Sequence, residues 1–172
     1  MEAIEAIFKR RSVRDYVEKE IEDEKIEILL KAAMYAPSAG NEQPWHFIVV
    51  KNRTMLNKLA ELYPYAKMLK KANAAIVVCA DKGLSRYEGD FWVLDCSAST
   101  QNILLAATAL GIGSVWIGVH LNKKRIEDIS RILELPESVV PVSIVSLGYP
   151  KGDVFKELPE RFRMDRIHYE NW

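Results

Sequence analysis

Ala36-Pro37-Ser38-Ala39-Gly40-Asn41-Glu42-Gln43-Pro44-Trp45-His46-Phe47-Ile48-Val49-Val50 decides how the chain is organised. Pro37 closes a helical pattern and Pro44 closes a polar loop. From Trp45 to Val50 the residues are almost all apolar and turn β-branched, which predicts a short strand. Ser38, Asn41 and Gln43 each donate and accept hydrogen bonds. Their attachment to a buried strand puts them on a rigid element, as binding groups require, although such a loop is otherwise only a connection. His46, at the strand start, reads as a structural histidine.

Upstream, Ile4, Ile7 and Phe8 recur at helical spacing over residues 2–9, and Ile26, Leu29, Leu30, Ala33 and Met34 do so over 22–36. Glu22, Asp23 and Glu24 stand in the second helix's first turn, where the helix dipole favours anions. Downstream, Thr54 is the expected cap of a helix burying Met55, Leu59, Leu62 and Tyr63 until Pro64 interrupts it. Ala74 to Ala80 predicts a second buried strand, and Asp81 to Asp90 a mobile loop beside the site. Residues 91–110 form the longest periodic segment, rich in small side chains and destined for the middle of the fold. Gly111 ends it as a left-handed cap. Strands follow at 115–119 and 139–147 with a helix at 123–133 between them, and then a charged tail.

The chain has 172 residues, which predicts one domain over 1–172 with room for both a core and a ligand cleft. Its 24 Lys plus Arg balance 24 Asp plus Glu, so no whole-molecule field draws in nucleic acid. Two cysteines in apolar surroundings supply neither a disulfide framework nor metal-ligand spacing, so no metal is expected. The acidic N-terminus and the lack of a long apolar run predict a soluble cytoplasmic protein with no membrane contact.

Two further stretches concentrate binding groups. Arg10-Arg11-Ser12-Val13-Arg14 sets three guanidinium groups and a hydroxyl within five residues, suited to phosphate oxygens or else a solvated charge run. Arg10 and Arg14 would share a face if the helix continued. Gly111-Ile112-Gly113-Ser114-Val115-Trp116-Ile117-Gly118 follows a helix and enters a strand, the reverse of the dinucleotide-binding order. It is either a glycine turn or a run of backbone whose amides at Trp116, Ile117 and Gly118 meet a flat heteroaromatic ring. Arg161 and Arg163 form a late cation pair that either stabilises a reduced isoalloxazine or pins the tail by salt bridges. No nucleophile–base or paired-carboxylate pattern stands out, so no catalytic side chain is expected and the chemistry falls to a cofactor.

These marks, taken with the small-residue helix ending at Gly111 and the arginine-bearing tail, resemble the FMN-dependent nitroreductase family over nearly the whole chain. The stretch 36–45 is the most specific. The resemblance implies an α+β fold: a mixed sheet of four or five strands surrounded by helices, paired into an intertwined homodimer. It implies that Arg10, Ser12 and Arg14 grip the FMN phosphate and ring edge with Arg11 close by. Pro37, Ser38, Ala39, Asn41 and Gln43 would line the flavin from the other subunit. Trp116, Ile117 and Gly118 would pass along the ring, with the Gly118 amide toward N5, and Arg161 or Arg163 would reach the phosphate.

Gly118 stands where many members carry an acidic residue, and Glu160-Arg161-Phe162-Arg163 departs from a Lys-x-Arg-like tail. The short chain leaves 81–90 as the lid. The implied activity is reduction of a small acceptor, a nitroaromatic or quinone, by NADH or NADPH through flavin N5. Alternatives are dehalogenase- or oxidase-like flavin chemistry on the same fold, a non-enzymatic FMN-binding redox sensor, or a domain for another phosphorylated ligand.

Overall fold

The computed structural model describes residues 1–87, 89–156 and 159–172. Four strands, β1 (Trp45–Val50), β2 (Ala74–Asp81), β3 (Gly113–Gly118) and β4 (Val139–Gly148), form one sheet in the order β1-β2-β4-β3. Every ladder is antiparallel. The expected mixed sheet thus has the lower of the two strand counts. Among the described residues its parallel character shrinks to a single bridge, Ser12 beside Ser114, because the segment after the first helix touches β3 at one residue and then turns away.

Helices cover both faces. On one lie α2 (Asp23–Met34) and the central α4 (Phe91–Ala109). On the other lie α3 (Arg53–Glu61), a 3₁₀ segment (Pro64–Lys70) and α5 (Lys123–Leu133). Strand β2 shows why its sequence is apolar without alternation. Ala74, Ile76, Val78 and Ala80 face α2 and α4, while Ala75, Val77 and Cys79 face α3 and α5. The two thiols lie on opposite faces, with Cys96 donating to the Cys79 carbonyl at 3.6 Å. Among the described residues no helix is long and apolar enough to cross a membrane.

Local chemistry sets the element ends. Helix α1 (Ala3–Lys9) carries a Lys9–Glu5 ion pair at 2.6 Å and stops at Arg10, whose backbone is extended (φ −57°, ψ 130°). Helix α2 ends at Met34, two residues short of expectation, since the residue before Pro37 is pushed out of helical geometry. Asn52, not Thr54, caps α3 by accepting the Met55 N–H at 3.0 Å; Thr54 already lies in the first turn. Gly111 (φ +72°) follows α4, with Ile112 N–H on the Ala107 carbonyl at 2.8 Å and Gly111 N–H on Thr108 at 3.1 Å, a Schellman ending.

Candidate functional site

Beyond α1 the chain runs extended, and Val13 donates its N–H to the Ser114 carbonyl at 2.9 Å. In extended backbone alternate residues share a face, so Arg10, Ser12 and Arg14 fall on one side of the segment with period two, Arg10 and Arg14 bordering different cavities. The helical grouping expected for Arg10 and Arg14 does not form, because α1 has ended at Lys9. Val13 is buried between them, while the Arg11 guanidinium turns away and donates to the Lys156 carbonyl. Four residues of extended chain separate Arg10 from Arg14 by about 13 Å.

Arg14 lines a cavity of about 630 Å³ with Tyr65, Lys67, Met68, Lys70, Lys71 and the β3 residues Val115, Trp116, Ile117 and Gly118. Two of its lysines are engaged at the surface, Lys70 with Glu61 at 3.3 Å and Lys71 with Asp15 at 3.2 Å. Arg14 and Lys67 make no ion pair among the described residues, so they hold positive charge available to an anion. Lys67 and Lys70 eclipse on the 3₁₀ segment, whose three-residue turn stacks positions i and i+3. This cationic floor was missed in the sequence. Its signal, Lys67-Met68-Leu69-Lys70-Lys71, follows Pro64 where a helical pattern has stopped.

Strand β3 is a sheet edge. Ser114 turns its carbonyl outward to Val13, and by strand parity Trp116 and Gly118 present their backbone groups to the same side. Past the Ser12 bridge no strand among the described residues pairs with that edge. The open edge at Gly118 is finished by Arg125, which donates to the Gly118 carbonyl at 3.1 Å and sits 4.4 Å over the Tyr63 ring. Burial pushes the Tyr63 phenol up to about 12, so it stays neutral there.

The loop at 37–43 is built differently. Gly40, Asn41 and Gln43 all take positive φ (54°, 57° and 51°), sparsely populated for the two non-glycine residues. Internal bonds hold this shape: Ser38 Oγ accepts the Gln43 N–H at 3.0 Å, and Gln43 Nε2 donates to Asn41 Oδ1 at 2.9 Å. Pro37, Asn41 and Gln43 are exposed, and Ser38 and Ala39 are half-buried. Tyr87 covers Gly40, where an added Cβ would lie 2.7 Å from its ring, and Arg86 donates its N–H to Glu42 at 2.8 Å. The 81–90 stretch therefore packs on this loop through Arg86 and Tyr87, with a 3₁₀ turn at Lys82–Leu84, and its described residues border neither cavity. Its Glu88 lies outside the described residues.

The sheet order separates the two halves of the predicted site. The loop feeds β1 at one edge and the cationic cavity flanks β3 at the other, three inter-strand steps or about 14 Å away. Arg10 and Arg161 both line a different groove, of about 1120 Å³ between α1 and the tail, that Ile4, Ile7, Phe8 and Phe162 also line. Arg163 borders neither cavity. His46 stands exposed on the edge strand rather than in a structural pocket, because β1 buries only its ends, Trp45 and Val50.

The sequence model of the Nitroreductase family matches residues 7–149. The chain is 56% identical over 172 residues to a candidate NADH dehydrogenase/NAD(P)H nitroreductase of Archaeoglobus fulgidus, covering 99% of each. It is similar, at TM-score 0.93 and 41% identity, to a candidate NADH oxidase from Clostridium acetobutylicum, over 97% of this chain and 99% of that one. A candidate nitroreductase from Desulfovibrio desulfuricans, crystallised in complex with FMN, matches at TM-score 0.83 and 26% identity, over 100% and 98% of the two chains.

Proposed function

The chain belongs to the nitroreductase family, and from that premise we propose that it is an FMN-dependent oxidoreductase acting as a homodimer with the cofactor at the subunit interface. Bound FMN would supply the redox chemistry, taking a hydride from NADH or NADPH at N5 and passing it to a nitroaromatic, quinone or similar acceptor in the same place. The observation that carries this reading is the cavity beside β3. Its size falls within the few hundred to about 1,000 Å³ of small-molecule sites. Arg14 and Lys67 offer unspent cations, and the outward amides of Trp116 and Gly118 offer donors to a planar ring. No carboxylate, imidazole or thiol lines it among the described residues, so the protein's part is to bind, orient and supply positive charge.

Arg10 and Ser12 continue the same extended face as Arg14 and would hold the phosphate, with Arg161 or Arg163 joining from the tail. The loop at 37–43 is too far within one chain to meet that ring, so a second copy would bring its Asn41 and Gln43. The exposed apolar side chains of α1 and the tail, Ile4, Ile7, Phe8, Phe162 and Trp172, fit burial in such a dimer. Likeness to the C. acetobutylicum NADH oxidase favours a second reading in which oxygen is the acceptor.

Anaerobic absorbance of FMN-loaded, desalted protein tests both. Retained yellow colour that bleaches with NADH or NADPH is the expected result, and admitting air or a quinone then separates the acceptors by the rate of re-oxidation. Yellow protein that does not bleach would point to a sensor, and colourless protein would remove the cofactor.

A further inference from the structure

Helix α4 buries one carboxylate, Asp95, only 6% exposed among the apolar side chains that pack on the sheet. Its Oδ1 accepts the Ala39 N–H at 3.0 Å, and Oδ2 has no partner among the described residues. A carboxylate taken out of water for one hydrogen bond is costly, and an apolar residue would fill the position without that cost. What the bond secures is the first residue of the turn that carries Gly40, Asn41 and Gln43 at positive φ. Ala39 is the place where that strained loop is tied by a side-chain hydrogen bond to the central helix.

We propose that Asp95 is a positioning residue that sets the 37–43 loop for the flavin of the opposite subunit, so that its effect on cofactor binding is exerted in trans. This rests on the shared-site reading above. Asp95 itself touches neither cavity. It acts through the loop backbone, fixing the direction in which the exposed Asn41 and Gln43 side chains leave the surface.

The test is subunit mixing read by FMN affinity, using flavin fluorescence quenching. Asp95→Ala homodimers are expected to bind FMN about tenfold more weakly, while Asp95→Asn, which keeps an acceptor oxygen, stays within about threefold of wild type. Mixed dimers of Asp95→Ala with Arg10→Ala should regain one site of wild-type affinity. The first subunit brings an intact phosphate grip and the second an intact loop. A merely structural role would damage the site on the variant's own subunit and give no recovery, which would overturn the proposal.

Arg10→Ala mixed with Asn41→Ala is the control. If the control recovers and the Asp95 pair does not, the positioning role fails while the shared site stands; if neither recovers, both fall. Should Asp95→Ala not fold, Ala39→Pro deletes the same bond from the loop side, at a position whose predecessor Ser38 is already extended (φ −142°, ψ 153°). That variant must show the same recovery in trans, and wild-type FMN affinity in its homodimer would equally overturn the proposal.

Discussion

Gly113 and Gly148 are register partners across β3 and β4, and the space left by their missing side chains is taken by Val13 and Tyr16. A Cβ on Gly113 would lie 2.7 Å from Val13, and one on Gly148 would lie 2.5 Å from the Tyr16 ring and 2.7 Å from Asn73 Oδ1. Tyr16 is further fixed by donating to the Val13 carbonyl at 2.6 Å. Gly148→Ala should therefore lower the unfolding free energy measured in urea by about 1–3 kcal/mol through overpacking, and should weaken FMN binding as the Arg10–Arg14 segment is displaced. Arg10→Ala acts on binding alone. Loss of a charge-assisted phosphate contact should cost about 1.5–3 kcal/mol in FMN affinity with the urea midpoint unchanged, and an unaltered dissociation constant would remove Arg10 from the site. The cations were legible in the sequence as a cluster. Their grouping was not, because whether Arg10, Ser12 and Arg14 share a face depends on α1 ending at Lys9, and no glycine or proline marks that end.

Elements were legible where a strong local signal agrees with the packing. Strand β1 and helix α5 carry the boundaries read from the sequence, and Gly111 closes α4 in the left-handed conformation its position suggested. Gly111→Ala should cost about 1 kcal/mol in urea unfolding, since nothing lies within 4 Å of the added Cβ and the penalty is conformational. A cost near zero would mean that the Schellman bonds to Ala107 and Thr108 tolerate a shifted backbone. The segment Pro64–Lys70 was illegible for a physical reason. Proline ends an α-helical pattern, whereas a 3₁₀ turn tolerates it at the start and repeats every three residues, so the apolar Ala66 and Leu69 match the core without helical periodicity. The cavity's lysines went unseen with it. Asp95 was hidden too, because a single acid in an apolar helix carries no motif and gains meaning only once Ala39 is seen beside it.

At the scale of the molecule, the topology that fills both faces of the sheet also decides how stability responds to pH. Ion pairs such as Lys31–Glu27 and Lys51–Asp23 lie at the surface, and the lowered carboxyls of Glu5, Glu22 and Glu27 are exposed, so solvent screens what they lose in acid. The buried thiols and phenol act at the other end of the scale. Burial raises the Cys79 and Cys96 thiols from 9.0 to about 12, and raises Tyr16 from 10.0 to about 12 despite its bond to Ser146. Below about pH 8 these groups are protonated in both folded and unfolded chains, and their contribution to stability is complete. As pH rises above that, the unfolded chain releases protons that the folded core still holds, and stability falls until the folded groups themselves ionise near 12. Urea midpoints should thus be nearly flat from about pH 7 to 8 and then decline, the thiols acting first and the phenols about one unit later. The Cys79→Ala, Cys96→Ala double variant should start from a lower midpoint, because two small cavities are left, yet decline less between pH 9 and 10. An unchanged slope in that interval would show that the thiols already ionise in the folded chain, and hence that water reaches the centre of β2 and α4.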